Sequence, residues 1–219
     1  MRPRSLARFL AVPVAAVGIA AGAAIAAPVA NAQTTATNFD TGGTVSLTVP
    51  LSYIGQLAAA GIVEFPAKKS DLSISSADET ATLTFTVTGG DADASVFRGS
   101  LDLSGSIVVV NVRHHHRHVR RFQVKLHDLQ FDVSQGEIDG TPAHSSSPVV
   151  LLDLGSDSFT FSPVAGDPNG FNDTFDSAAV TVDPAGASYL DGALHTKAFQ
   201  AGQAVGTAAA SWSIEYPND

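Results

Sequence analysis

The densest group of chemically active side chains in the sequence is at residues 113–121 (RHHHRHVRR), where arginine and histidine fill all positions but one. If this segment is extended, His114, His116 and His118 share one side of it. At about 3.3 Å per residue, His114 and His118 are then roughly 13 Å apart, so one transition-metal ion is expected to reach only His114 and His116. The neighbouring arginines repel a divalent cation, which opposes tight metal binding.

An anionic ligand suits the same segment better than a metal ion does. Guanidinium groups bind carboxylates and phosphates in a bidentate manner, and imidazoles add further donors or an axial ligand. Haem, with two propionates and an iron, would use both sets of side chains. The candidate ligand-binding residues here are His114, His115, His116, Arg117 and His118. The alternative is a solvent-exposed basic loop that holds no ligand.

A second group of polar side chains is at residues 167–173 (DPNGFND), where oxygen ligands surround a glycine. This pattern is compatible with a calcium-binding loop, but the glutamate at EF-hand spacing is missing. Asx, Gly and Pro residues are also ordinary turn formers. We therefore expect a turn over residues 162–173, and another over residues 140–142 (GTP).

Catalytic chemistry has no comparable signature. The chain contains no cysteine, which excludes disulfides, Cys-ligated zinc and a Cys nucleophile. Ser104 and Ser156 do not complete a Gly-x-Ser-x-Gly motif. His127 and Asp128 are adjacent, and neighbours on a regular strand point to opposite faces. We therefore predict that the protein is not an enzyme.

The first residues have the pattern of a secretory signal. Arg2, Arg4 and Arg8 precede an uncharged stretch rich in Ala and Val that ends in a small-x-small site at residues 30–32 (ANA). We expect a signal peptide at residues 1–32, a flexible lead-in at 33–42 and a single β-rich domain at 43–219. The predicted location is secreted, extracellular or cell-wall associated, with membrane contact only through the signal peptide before its cleavage.

The charge of the chain restricts its partners. The full sequence has 21 Asp and Glu against 12 Lys and Arg, a formal net charge of −9. Removal of the signal peptide takes three arginines away and leaves a net charge of −12. Such an excess of negative charge repels phosphate backbones, so we expect no nucleic-acid partner.

Most of the remaining sequence alternates apolar and polar residues with a period of two, which predicts half-buried strands. The clearest runs are at residues 45–49, 83–87 and 122–126. About ten such strands predict an all-β fold, an antiparallel sandwich or barrel. A proline followed by apolar residues at helical spacing predicts one short helix in residues 50–61 and another in residues 183–190. The change of phase between Leu126 and Leu129 predicts a bulge or tight turn at residues 127–128.

Two stretches of the sequence resemble a known family. One comprises residues 83–90 (LTFTVTGG), 97–107 (FRGSLDLSGSI) and 126–131 (LHDLQF), and the other comprises residues 180–190 (VTVDPAGASYL) and 199–206 (FQAGQAVG). Together they resemble the Htaa domain, an exported β-rich module of cell-surface haem-uptake proteins in Gram-positive bacteria, or its uncharacterised secreted relatives.

The resemblance implies a non-catalytic module that holds haem through a tyrosine in the early helical segment, assisted by a histidine near a later glycine turn. Tyr53 is the tyrosine in the matching segment, whereas the glycine turn at residues 103–106 (LSGS) has no histidine. The first hypothesis is thus a secreted binding module of the cell envelope for haem or another anionic ligand. The alternative is a structural envelope protein whose basic His/Arg segment docks on a wall polymer or a partner protein.

Overall fold

The computed structural model describes residues 42–67, 70–92, 98–115, 118–155 and 170–215. The predicted signal peptide lies outside these residues, as do His116 and Arg117. Within them, neither helix has the length and apolarity that crossing a bilayer requires.

The predicted all-β class is confirmed, since strands joined by antiparallel pairing make up most of the described residues. The elements in chain order are β1 (Gly43–Pro50), α1 (Leu51–Ala59), β2 (Ile62–Ala67), β3 (Ser70–Ser75), β4 (Thr80–Gly90), β5 (Ser100–Leu103), β6 (Ser106–His115), β7 (His118–Asp132), β8 (Glu137–Pro142), β9 (Val149–Asp153), β10 (Gly170–Val182), α2 (Pro184–Leu194) and β11 (Ala204–Glu215).

Eight of the strands close into a barrel. The order is β7-β5-β4-β1-β11-β10-β9-β8, and β8 pairs back with β7. The alternating apolar residues point inward, as the period of two requires. Phe131, Phe175 and Trp212 form an aromatic group in the core, where the Phe131 ring lies 5.8 Å from that of Phe175 and 6.5 Å from that of Trp212. The barrel interior is therefore a packed core at the height of these three rings.

The barrel wall divides at one end. β5 pairs with both β4 and β7, but the chain bends at Gly105, which has a φ of 96°. Beyond that bend, β6 continues along β7 and carries β2, while β3 pairs with the first half of β4. In the described residues no strand pairing joins β2 to β3. The end of the barrel where these two strands separate is called the flared end below.

Two helices fill the flared end, as the prolines predicted. α1 follows β1 directly after Pro50, and its Tyr53 and Leu57 are buried. α2 begins after Asp183, whose Oδ1 accepts hydrogen bonds from the backbone N–H groups of Ala185 at 2.6 Å and Gly186 at 3.3 Å. The helices therefore close the core at the end where the wall is open.

The last turn of α2 is tied to the barrel wall by one buried side chain. Asn111 of β6 is 1 % exposed, and its Nδ2 donates a hydrogen bond of 2.8 Å to the carbonyl oxygen of Leu194. This bond satisfies one of the carbonyl groups that the end of a helix leaves without a partner. α2 is thus held against the wall at both of its ends.

The bulge predicted at residues 127–128 is confirmed. Asp128 has a φ of 47°, and the pairing of β7 with β8 shifts register between His127 and Gln130. The bulge brings the two side chains together, contrary to the expectation for a regular strand: Nδ1 of His127 lies 2.8 Å from Oδ2 of Asp128. The pair lies on the outer surface, where Asp128 is exposed.

One predicted turn was wrong, and another was wrong in its last four residues. Residues 140–142 end strand β8, because Gly140 pairs with β9, and Thr141 and Pro142 pair with β7. Residues 170–173 begin strand β10, where pairing with β11 from Trp212 to Glu215 satisfies their backbone groups. The last four residues of the proposed calcium loop are therefore strand, and residues 167–169 lie outside the described residues.

Candidate functional site

A cavity of about 240 Å³ opens at the flared end between α1, β2 and the sheet of β1, β3 and β4. This mouth cavity is lined by aliphatic side chains apart from one glutamate, Glu64. Four of the lining side chains are also exposed at its opening, namely Ile54, Val63, Leu72 and Ile74, the last of them to 65 %. Contiguous exposed apolar surface of this kind is typical of a binding site.

Glu64 enters this apolar cavity because of its place on β2. It is two residues after Ile62, which is 1 % exposed, so the two side chains share the inward face of the strand. The Glu64 side chain is exposed to the open volume of the cavity, although protein atoms crowd around its carboxyl group. This burial raises the pKa of the Glu64 carboxyl above its ordinary value of 4.5.

Tyr53 and Glu64 both line a smaller cavity of about 70 Å³, which Leu190 of α2 also lines. Glu64 lines the mouth cavity as well, whereas Tyr53 does not. Burial, and secondarily the negative charge of Glu64, raise the pKa of the Tyr53 phenol to about 12. Tyr53 is therefore protonated at physiological pH and can donate a hydrogen bond.

The raised pKa of Glu64 makes the stability of the fold depend on pH. The folded state keeps the Glu64 proton to a higher pH than the unfolded chain does, so this contribution is complete below pH 4.5 and is lost as the pH rises through the folded-state pKa. We expect the free energy of unfolding of the wild type to fall relative to that of Glu64→Gln between about pH 4.5 and pH 7. Urea unfolding of both proteins across this range measures the difference.

The comparison with Glu64→Gln removes the contributions of the other carboxyls. Burial and neighbouring carboxylates also raise the pKa values of Glu137 and Asp139, and these contributions are the same in both proteins. Parallel pH profiles for wild type and Glu64→Gln would show that Glu64 is hydrated like a surface carboxyl.

The backbone of residues 113–121, the basic segment, does not lie next to Tyr53 and Glu64. Glu64 pairs with Val109, and His114 follows five residues later, about 16 Å along the strand. His114, His115 and His118 belong to the tip of the β6–β7 hairpin, and their side chains are outside the described residues, as are His116 and Arg117 entirely. Their roles as ligands of a metal or an anion stay predictions. In the described part of the chain no group of three or more His, Asp and Glu could hold a metal ion.

The surroundings of Tyr53 do not fit an iron held through its oxygen. Such a bond requires the phenolate, and a pKa of about 12 beside the negative Glu64 disfavours that form. Neither cavity has a Lys, Arg or His among its described lining residues, so haem propionates would find no cationic partner there. Haem bound through Tyr53 is thus not supported by the described side chains.

Comparison with known proteins gave two solved structures. The chain is similar to the C-terminal domain of HtaA from Corynebacterium glutamicum, with 12 % identity, a TM-score of 0.44, and 81 % of this chain and 99 % of that chain covered. It is also similar to the N-terminal domain of HtaA from the same organism, with 12 % identity, a TM-score of 0.46, and 81 % and 100 % covered. No protein-family model and no curated protein matches. The resemblance inferred from the sequence thus has a counterpart in these two HtaA domains.

Proposed function

We propose that the protein is a secreted, non-catalytic binding module of the cell envelope that takes an apolar ligand into the mouth cavity. The observation that carries this proposal is an open aliphatic cavity with a single carboxyl group, that of Glu64, in its lining. Pockets for small molecules combine predominantly apolar walls with a few polar groups that orient the ligand. The proposed location rests on the signal pattern at residues 1–32.

The polar end of the ligand follows from the charge of the cavity. In its ionised form, which a bound amine favours, Glu64 accepts hydrogen bonds only. A ligand that carries a hydroxyl or amine therefore gains a bond to Glu64, whereas a carboxylate would place a second negative charge beside it. The class of ligand we propose is an apolar molecule with an uncharged or cationic hydrogen-bond donor at one end.

A pair of fluorescent probes with the same ring system tests this selectivity. We expect 1-aminoanthracene to bind the mature chain at least about tenfold more tightly than anthracene-1-carboxylate at a pH at which Glu64 is ionised, since a hydrogen bond to a charged group contributes about 1.5–3 kcal/mol. Fluorescence titration gives both dissociation constants. In Glu64→Gln the difference should shrink to less than about threefold.

Two results would overturn the proposal. Equal binding of both probes to the wild type would show that Glu64 does not select the ligand, and no saturable binding of either would remove the cavity as a site. Titration with haemin tests the ligand that the family resemblance implies. A saturable Soret shift that is lost in Tyr53→Phe would replace the proposal by haem binding through Tyr53.

A further inference from the structure

The strand β7 has an open edge on the side opposite β6. β7 pairs with β6 from His118 to Leu126, and on its other side with β8, where the pairing stops at Leu126 opposite Pro142. Residues 118–125 therefore have a strand neighbour on one side only, as far as the described residues extend. An edge of this length presents a row of backbone donors and acceptors to any strand that reaches it.

The direction of the backbone groups along this edge follows from one observed bond. The carbonyl oxygen of Lys125 accepts from the N–H of Ala143 at 2.9 Å, so Lys125 directs its backbone groups toward the open side. Directions alternate along a strand, so Gln123 and Arg121 direct theirs to the same side, while Phe122 bonds to β6. The edge thus offers N–H and C=O groups at every second residue beyond the last bond to β8.

A groove of about 640 Å³ runs beside this edge. Its lining includes Gln123 and Lys125 of β7, His144 and Ser145 of the segment after β8, and Tyr189 of α2. The groove therefore has room for side chains of a segment that pairs with β7, between the turn after β8 and the second helix.

Exposed cations lie in the groove and on the neighbouring β6–β7 hairpin. Lys125 lines the groove, Arg113, Arg120 and Arg121 are exposed on the hairpin, and none of these side chains forms an ion pair with another described residue. The chain itself has a formal net charge of −9. Cations that are left without carboxylate partners in an acidic protein favour an acidic partner.

We propose that the open edge of β7, residues 119–125, docks an extended acidic peptide of a partner protein by strand addition. Backbone pairing gives the affinity, and alternate acidic side chains contact the cations of the β6–β7 hairpin and the groove. A strand is favoured over an anionic wall polymer because only a peptide backbone matches donors and acceptors at every second residue. This interaction is independent of the ligand in the mouth cavity.

Synthetic peptides as long as the edge test the proposal. We expect a capped peptide that alternates Glu and Val to bind the full mature chain, and a peptide with Lys in place of Glu to bind at least about tenfold more weakly. A Glu–Val peptide with every second amide N-methylated, so that one edge is blocked, should also lose at least about tenfold in affinity although its charge is unchanged. Isothermal titration calorimetry measures these constants.

A protein variant and hydrogen exchange complete the test. Lys125→Glu should weaken binding of the Glu–Val peptide because Lys125 lines the groove, and Lys197→Glu, an exposed position that does not line the groove, serves as the matched control. The bound peptide should protect the amides of Arg121 and Gln123 from exchange and leave that of Phe122 unchanged. Binding of the Glu–Val peptide without this protection would overturn strand addition. The same holds if the N-methylated peptide and an anionic polymer such as teichoic acid bound as tightly as the Glu–Val peptide, because the interaction would then be unspecific charge attraction. No binding of the Glu–Val peptide would overturn it as well.

Discussion

Replacing Ala58 with tryptophan should weaken binding of 1-aminoanthracene at least about a hundredfold. Ala58 lines the mouth cavity from the exposed face of α1, so an indole at this position occupies the volume that the ligand needs without entering the packed core. Excluding about 110 Å² of ligand surface from the cavity costs about 3 kcal/mol at 25 cal/mol per Å², which is about a hundredfold in Kd. Fluorescence titration of wild type and variant measures the change.

The neighbouring residue provides the control for this substitution. Ala59 is exposed at the end of the same helix but does not line the cavity, so Ala59→Trp adds the same side chain outside the proposed site. We expect Ala59→Trp to bind the probe within about twofold of the wild type. If both variants bound like the wild type, the probe would occupy a site other than the mouth cavity, and if both lost binding, the helix itself would be disturbed.

The part of the fold that follows local rules could be predicted from the sequence. Alternation identified β1, β4 and the middle of β7, because half-buried strands show their two faces directly in the residue order. Prolines marked the starts of both helices, and the phase change around Asp128 marked the bulge. Each of these signals depends on a few neighbouring residues.

β2 and β8 escaped prediction because long-range contacts, and not local composition, make them strands. β2 (IVEFPA) contains Pro66, and β8 (EIDGTP) contains a glycine and a proline that are typical of turns. Pairing with β6 stabilises β2, and pairing with β7 and β9 stabilises β8. The barrel closes through β8, so the order of its strands could not be derived while β8 was unrecognised.

Only part of the candidate site could be predicted, because one of its residues lies on a strand that depends on long-range contacts. Tyr53 was identified through the family resemblance, but Glu64 was missed because it lies on the unrecognised strand β2. A local signal was present, since Ile62 and Glu64 alternate with Val63 and share a face. What the sequence could not indicate is that α1 and β2 place Tyr53 and Glu64 in one cavity, and that Glu64 also lines the mouth cavity.

The second large effect that we expect is a loss of stability when Gly186 of α2 is replaced. A Cβ at this position would lie 2.7 Å from the carbonyl oxygen of Val150 and 2.8 Å from Cα of Leu151, and both are backbone atoms of β9 that cannot move aside. We expect Gly186→Ala to lower the free energy of unfolding by about 3 kcal/mol, at the upper end of the usual cost of overpacking. Chemical unfolding in urea measures this loss.

The same helix contains a glycine with the opposite expectation. A Cβ at Gly192 would meet no heavy atom within 4 Å, so Gly192→Ala gains helix propensity of about 0.5–1 kcal/mol without a clash. The two variants make the same chemical change on one helix, and only the contact with β9 distinguishes them. Opposite signs would therefore establish that the α2 backbone lies directly on β9, since helix propensity alone makes both substitutions stabilising. A Gly186→Ala protein as stable as Gly192→Ala would contradict this packing, and with it the inner cavity wall that Leu190 contributes beside Tyr53 and Glu64.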